Sequence, residues 1–258
     1  MTCIARYQGG NRLLDTIPTA ERDRVLQRCQ PITVEQGETI GFPGEMIHYV
    51  YFPIDCVVSL SKPTSGQGPR AFALIGSDGV VGSAPVAGTA TWRMRAKVLC
   101  GGNALWIRSG DFHVVLDQAP ELKRRLDLCA AALLAQLEQA ATCLAAHNPE
   151  QRLAYWLLMI QDCHRRDSYY ATHEMLADIE GGSVRAVAAA AGRLRRSGLI
   201  TDERGHIVIL DRSGLERAAC GCYRAVTDRI LQIGSKEHTR QAATAGADPV
   251  GRQSLADV

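Results

Sequence analysis

The chain has 258 residues, of which 46% are hydrophobic and 22% charged, and its formal net charge is +2. This composition is typical of a soluble globular protein, and the length suits two domains, each with its own core. Because the net charge is small, any surface that binds nucleic acid must be a local concentration of positive charge. The sequence shows no apolar run of 18 or more residues and no apolar signal-peptide core. We therefore predict a cytoplasmic protein with no membrane partner.

Nine cysteines are scattered along the chain. An odd number of cysteines in a reducing compartment argues against a disulfide framework. Only Cys220 and Cys222 are close to each other, and no second pair accompanies them in the sequence, whereas metal and iron–sulfur sites usually bring one. We therefore predict no metal site and no cofactor, and we interpret most cysteines as small buried apolar residues.

The first 118 residues predict a β-rich domain. Between Gly37 and Gly110, twelve glycines and five prolines separate the short runs "HYVYF", "CVVSL", "AFALI", "RMRAKVL" and "NALWI". Each run is rich in β-branched or aromatic residues and has the length of a strand, and the glycines and prolines mark tight connections. Many short strands with frequent turns predict an antiparallel sandwich or barrel. One short helix, "IPTAERDRVLQRC", is predicted before them.

From Pro120 the apolar period becomes that of a helix, which we predict over residues 119–147, about 28 residues or roughly 40 Å. Its apolar stripe consists of Leu122, Leu126, Cys129, Leu133, Leu137, Ala140 and Leu144. Such a helix either lies on its own sheet or forms a coiled-coil seam between two subunits. The narrow stripe and its charged flanks favour the seam, and therefore a homodimer. On that seam Cys129 would face its own copy, so oxidation would be able to cross-link the two subunits. The alternative interpretation is that Cys129 is a small packing residue.

Residues 148–226 predict a DNA-binding domain. Thr172 caps one helix, Gly181-Gly182 end it, Ser183 caps a second helix, and Gly198 ends the second. The segment "ITDERGHIVILD" then predicts two strands joined at Arg204-Gly205. Two short helices with a tight glycine turn, followed by a hairpin, indicate a winged helix-turn-helix. Residues 227–258 are predicted to be a disordered tail.

The second helix of this motif is the predicted recognition helix. Its alanines give it the thin profile that suits a major groove about 12 Å wide. The segment from Gly181 to Ile200 contains four arginines and no acidic residue. A solvated basic face would explain the arginines but not the order of helix, glycine turn, helix and hairpin. We therefore predict double-stranded DNA as a partner, contacted by Thr172, Ser183, Val184, Arg185, Ala188, Ala189, Arg193, Arg195, Arg196 and Arg204.

These segments resemble the Crp/Fnr family of transcription regulators. "PGEMIHYVYFPIDCVVSL" is similar to the first strands of its sensory β-roll, "HEMLADIEGGSVRAVAAAAGRLRRSGLI" to its DNA-binding element, and "GHIVILDRSGLERAACGCY" to its wing and closing helix. The resemblance implies an α+β fold with an N-terminal antiparallel β-roll of the cyclic-nucleotide-binding jelly-roll type, a long dimerisation helix and a C-terminal winged helix-turn-helix. It implies a homodimer on a near-palindromic site, with RNA polymerase as a further partner.

The sequence departs from the family at the residues that would bind the effector. Members that bind cyclic AMP carry a Gly-Glu pair and then an Arg-Ser or Arg-Thr pair, whereas here the matching positions are Gly82-Ser83 and Ala90-Thr91. Burying a phosphate without its cation costs several kcal/mol, so cyclic AMP is not the expected effector. If the alignment shifts, Arg93 or Arg95 would supply the cation of a cyclic-nucleotide pocket. The candidate effector pocket is therefore Gly82, Ser83, Thr91, Arg93 and Arg95.

A second class of function remains as an alternative. Val184, Ala188 and Ala189 offer few polar groups to DNA bases, which motivates a sensor that acts through protein contacts with a weakened DNA-binding domain. An enzyme is not predicted, because we find no nucleophile elbow, no HExxH and no phosphate loop.

Overall fold

The computed structural model of the chain describes residues 7–64, 67–83 and 91–234. Its N-terminal part contains α1 (Arg12–Thr16), α2 (Thr19–Arg28), β1 (Gln30–Val34), β2 (Thr39–Gly41), β3 (Tyr49–Pro53), β4 (Val57–Thr64), β5 (Gln67–Ile75), β6 (Arg95–Cys100), β7 (Gly102–Arg108) and α3 (Ser109–Leu116). The long helix α4 (Pro120–Ala146) follows. The C-terminal part contains α5 (Pro149–His164), β8 (Ser168–Tyr170), α6 (His173–Glu180), α7 (Val184–Arg196), β9 (Ile200–Glu203), β10 (His206–Ile209), α8 (Arg212–Ala218) and α9 (Cys222–Gly234).

The N-terminal part is a β-roll of two antiparallel sheets, with strand orders β1-β7-β3 and β2-β6-β4-β5. All five runs that predicted strands are strands, which confirms the antiparallel β-rich fold. The strands β1 and β2 were not predicted, because β1 is mostly exposed and β2 is only three residues long. Beneath the three-stranded sheet, Val50, Phe52 and Ile107 are buried together with apolar side chains of α1, α2 and α3.

Helix α4 begins and ends where the sequence predicts. Pro120 occupies the first turn, where its missing N–H costs no hydrogen bond. The helix ends at Ala146 because Asn148 caps α5, forming a capping box with Gln151. By length and composition alone α4 would also be able to cross a membrane, which the sequence analysis did not anticipate. However, it carries the fully buried Arg125, and it packs on β5 and α9.

Most of the stripe that the sequence predicts as a seam on α4 packs against the helix's own subunit. Leu122 and Leu126 are buried in the core of the β-roll. Cys129, Leu133 and Ala140 also pack against buried clusters of the same chain. The face that remains open lies one residue further along, a rotation of about 100°. It contains the exposed Ala130, Leu134, Ala141 and Leu144 and the half-buried Leu137, and only Leu137 and Leu144 belonged to the predicted stripe.

The C-terminal part is a winged helix-turn-helix whose wing has three strands, in the order β8-β10-β9. Its core is continuous with Val57, Leu74 and Leu99 of the β-roll, so the two parts are packed against each other. Helix α9 runs to Gly234, and the prediction of a disordered tail is therefore wrong for residues 227–234. The rest of that predicted tail, residues 235–258, lies outside the described residues.

Candidate DNA interface and effector cavity

The first helix of the motif, α6, is fixed at both ends as the sequence predicts. The Thr172 hydroxyl accepts a hydrogen bond from the Met175 N–H at 3.3 Å. At the other end Gly181 adopts φ +72°, a conformation that glycine enters at little cost. The ring of His173 lies 2.6 Å from the Asp202 carboxylate, which ties the start of α6 to β9 of the wing. Helix α6 is thus held between the wing and the turn that leads into α7.

The recognition helix α7 has one buried face and one open face. The Ser183 hydroxyl accepts a hydrogen bond from the Ala186 N–H at 3.1 Å and caps the helix. The residues of its inner face are all buried: Val187, Ala190, Ala191 and Leu194. On the opposite side Val184, Arg185 and Ala189 are exposed, and Ala188 is half-buried. The first turn therefore projects from the body of the protein, which is the arrangement that a helix needs to enter a major groove.

The arginines near α7 divide into two groups. Arg193 donates to the Glu150 carboxylate on α5 at 2.5 Å and so holds α7 against α5. Arg195 and Arg196 are exposed at the C-terminal end of the helix. Arg204 is exposed at the tip of the wing, where it adopts φ +53° beside Gly205. Hence Arg195, Arg196 and Arg204 are open to a phosphate backbone, whereas Arg193 already has a carboxylate partner within the subunit.

Polar contacts dock the helix-turn-helix on the rest of the chain. The Arg70 guanidinium of β5 donates to the Gly181 carbonyl at 2.9 Å, at the turn between the two helices. The Gln36 side-chain amide donates to the Tyr170 carbonyl at 2.8 Å. Arg152 and Glu180 form a largely buried ion pair at 2.6 Å. Because these bonds join α6 and the turn to the β-roll and to α5, the position of the recognition helix depends on both.

A cavity of about 380 Å³ lies between the β-roll and α4. Three of the five predicted effector residues, Gly82, Ser83 and Arg93, are on its wall. Arg95 is directed elsewhere: it donates to the Thr39 hydroxyl at 3.0 Å and lies 5.7 Å above the centroid of the Phe42 ring. Thr91 forms an isolated bridge with Met46. The rest of the wall is mainly apolar and includes Leu60, Leu74, Val81, Trp92, Leu126 and Leu133.

The polar wall residues that the sequence analysis missed are Asp78, Asp127 and Gln136. The pKa of Asp78 is raised, chiefly by desolvation. Desolvation also raises the pKa of Cys129 to about 12, and the Cys129 thiol lies 3.8 Å from the Asp78 carbonyl. Cys129 lines this cavity within its own subunit, an arrangement that favours the packing role over oxidative cross-linking.

Comparisons with known proteins agree with this architecture. Residues 151–218 match the family described as the Crp-like helix-turn-helix domain. The structure of FixK2 from Bradyrhizobium japonicum is similar, with 18% identity and a TM-score of 0.64 over 75% of this chain and 98% of that chain. The c-di-GMP-responsive global regulator CLP of Xanthomonas campestris is 14% identical, with a TM-score of 0.63 over 75% of this chain and 100% of that one.

A Crp/Fnr-family transcriptional regulator of Thermus thermophilus is 22% identical, with a TM-score of 0.58 over 74% of this chain and 98% of that chain. No curated protein matches the sequence. Residues 151–218 therefore form a Crp-like helix-turn-helix domain, and the first turn of its second helix is exposed. The described part of the chain has the Crp/Fnr-type fold, with a cyclic-nucleotide-binding-like β-roll before a Crp-like helix-turn-helix domain.

Proposed function

We propose that the protein is a sequence-specific DNA-binding transcription regulator, not an enzyme, and that it acts in the cytoplasm. The observation that carries this proposal is the open first turn of α7, because the opposite face of the same helix is fully buried. From this turn Arg185 is able to donate two hydrogen bonds to a guanine, and Val184 to contact a thymine methyl group. Ser183, at the N-terminus of the helix, is suited to a phosphate.

The other proposed DNA contacts are with the phosphate backbone. Arg195, Arg196 and Arg204 are exposed cations on the same motif, and Thr172 caps the helix that precedes the turn. Such contacts position a protein on the duplex without selecting bases. Ala188 and Ala189 contribute by their small size, since a bulky side chain on this face would keep α7 out of the groove.

We propose that two subunits join through the open face of α4. Ala130, Leu134, Leu137, Ala141 and Leu144 recur at intervals of four, three, four and three residues, which is the spacing of a coiled-coil seam. Asp127 and Glu138 flank it with charge. In such a dimer two recognition helices enter successive major grooves about 34 Å apart, so the site is a near-palindrome with half-site centres about 10–11 base pairs apart.

In this proposal residues 1–118 form the sensory domain, residues 119–147 the dimerisation helix, and the DNA-binding domain begins at residue 148. RNA polymerase is the further partner that the family resemblance implies. The cavity supports a small, mainly apolar effector and not a cyclic nucleotide. Among the described residues, its wall carries the acidic Asp78 and Asp127 and one arginine, Arg93, which is exposed. A buried phosphate would lack an enclosed cation there.

The test is DNA binding by the full chain, measured by fluorescence anisotropy on the best site selected from a random library and on scrambled DNA. Arg185→Ala should lose about 1–3 kcal/mol on the selected site and much less on scrambled DNA. Arg195→Ala is the matched control, because loss of a phosphate contact should weaken both complexes equally and reduce their salt dependence. Equal losses for Arg185→Ala would show that it contacts only the backbone. Failure to select any site would favour the sensor that acts through protein contacts.

A further inference from the structure

Four side chains that commonly bind metal ions meet at the C-terminal end of α4. Cys143 and His147 are four residues apart and therefore lie on the same side of the helix end. Cys220 lies in the short connection between α8 and α9, and Cys222 is the first residue of α9. One ligand atom from each of the four residues lies within 4.8 Å of all the others.

The distances within this cluster suit a single metal ion. The Cys143 and Cys220 sulfurs are 3.2 Å apart, and the Cys222 sulfur is 3.7 Å from Nδ1 of His147. In a tetrahedral zinc site with Zn–S bonds of about 2.3 Å, two sulfurs lie about 3.8 Å apart. Small shifts of flexible side chains would bring the four atoms to these positions. An iron–sulfur cluster requires its thiolates to stand further apart, since several iron and sulfide ions must fit between them.

A neighbouring tyrosine gives a second, independent indication. Tyr155 is completely buried, and its hydroxyl has no hydrogen-bond partner among the described residues. Tyr155 belongs to the same buried cluster of side chains as Cys143, Cys220 and Cys222, so its phenol lies near the proposed ligands. A buried donor without a partner is costly. Three thiolates, one neutral histidine and a divalent cation carry a net charge of −1, which offers this donor an acceptor.

We propose that Cys143, His147, Cys220 and Cys222 bind one zinc ion in a closed tetrahedral site. Three thiolates and one imidazole form a common structural zinc set, and soft sulfur ligands select zinc over magnesium or calcium. On binding, the three thiol protons pass to solvent, and neither the metal nor sulfur changes oxidation state. Because the protein fills all four positions, the ion has a structural role. The sequence analysis missed the site because Cys143 and Cys220 are 77 residues apart.

The site joins the end of the long helix to the DNA-binding domain. Cys143 and His147 close α4 at its junction with α5, and Arg152 of α5 donates to the His147 carbonyl at 2.9 Å. Cys222 begins α9, the helix that returns along α4, and Cys220 lies two residues before it. A zinc ion would therefore link three segments at the point where α4 leads into the winged helix-turn-helix, and would resist bending there.

The test measures metal content and does not require DNA binding. The full chain, purified under reducing conditions, should contain about one zinc per chain. After replacement by Co²⁺, it should show the thiolate-to-cobalt charge-transfer band and the visible absorption of a tetrahedral site. Cys143→Ser and Cys222→Ser should each weaken zinc retention against a chelator at least tenfold. Cys129→Ser is the matched control, because Cys129 is on the same helix but outside the cluster, and it should retain zinc like the wild type.

Several results would overturn the proposal. Circular dichroism should first establish that each variant is folded, and His147→Gln provides a variant at the least buried ligand. A folded, reduced wild type that neither contains zinc nor develops the cobalt spectrum would rule out the site. So would wild-type zinc retention in Cys143→Ser, Cys222→Ser and His147→Gln together, or iron and sulfide in place of zinc. A wild-type protein that contains zinc but binds no DNA site specifically would contradict the proposed function and leave the zinc proposal standing.

Discussion

Leu134→Glu should dissociate the proposed dimer. Leu134 lies in the middle of the open face of α4 and is 55% exposed in the single subunit. In a two-fold seam each copy of this residue would lie near its counterpart. Glutamate at this position would therefore place two negative charges close together in an apolar contact, where neither has a cation.

The magnitude follows from the exposed area of Leu134. Burying a whole leucine side chain contributes about 1.5–3 kcal/mol, and about half of this one remains to be buried, or roughly 1 kcal/mol per subunit. Two copies contribute about 2 kcal/mol, so Leu134→Ala should raise the dimer dissociation constant about thirtyfold. The glutamate adds the cost of desolvating two unpaired carboxylates, so Leu134→Glu should exceed a hundredfold.

Sedimentation equilibrium over a range of protein concentrations measures the dissociation constant directly. Leu133→Ala is the matched control, because the adjacent Leu133 side chain lines the cavity of its own subunit. It should lower the stability of the fold while leaving the dimer intact. An unchanged dissociation constant for Leu134→Glu would refute the reasoning. Dissociation by Leu133→Ala but not by Leu134→Glu would restore the seam originally predicted from the sequence.

Three further predictions concern the cavity and the recognition helix. Gln136 bonds both the N–H and the carbonyl of Leu74, at 2.9 and 3.2 Å, so Gln136→Leu should cost about 2–4 kcal/mol in urea denaturation; wild-type stability would contradict this. Burial raises the pKa of Asp78, so the folded protein holds the Asp78 proton more tightly than the unfolded chain does. The stability that comes from this proton is present in full below the pKa of the unfolded chain and is lost as pH rises through the pKa of the folded protein. Asp78→Asn should therefore be more stable than wild type at about pH 7 and equally stable at about pH 3, and a loss at the higher pH would refute this. Ala189→Trp should abolish specific DNA binding without dissociating the dimer, and retained binding would show that this face does not enter the groove.

The helix-turn-helix was predictable because its determinants are local. Thr172 and Ser183 cap the helices that follow them, and Gly181 and Gly198 adopt the positive φ that ends a helix. Each of these residues acts within about four positions of its own place in the chain. The buried positions of α7 recur at three- and four-residue intervals, so its inner face also follows from helical periodicity, which is a local pattern.

The orientation of α4 was not predictable in the same way. Leucines and alanines occur on several sides of this helix, and periodicity cannot distinguish a face that meets the β-roll from one that meets a second subunit. Leu133 and Leu134 are adjacent, yet one lines the cavity and the other is open. The cluster of Cys143, His147, Cys220 and Cys222 was hidden for a related reason, since the return of α9 along α4 is a tertiary contact that no local pattern encodes.

The arrangement around α4 restricts how an effector would control DNA binding. One side of the helix lines the cavity through Leu126 and Leu133, its open face carries the proposed seam, and its end carries the proposed zinc ligands. A zinc ion there would hold the end of α4 to the connection between α8 and α9, so bending at that point would be costly. An effector can change DNA binding only if it binds two arrangements of the protein with different affinity. If zinc and the seam fix α4, the two arrangements would differ in the contacts between the β-roll and the helix-turn-helix. The first of these contacts is the hydrogen bond from Arg70 to the Gly181 carbonyl. Breaking that bond would release the turn before α7 while zinc and seam remain in place.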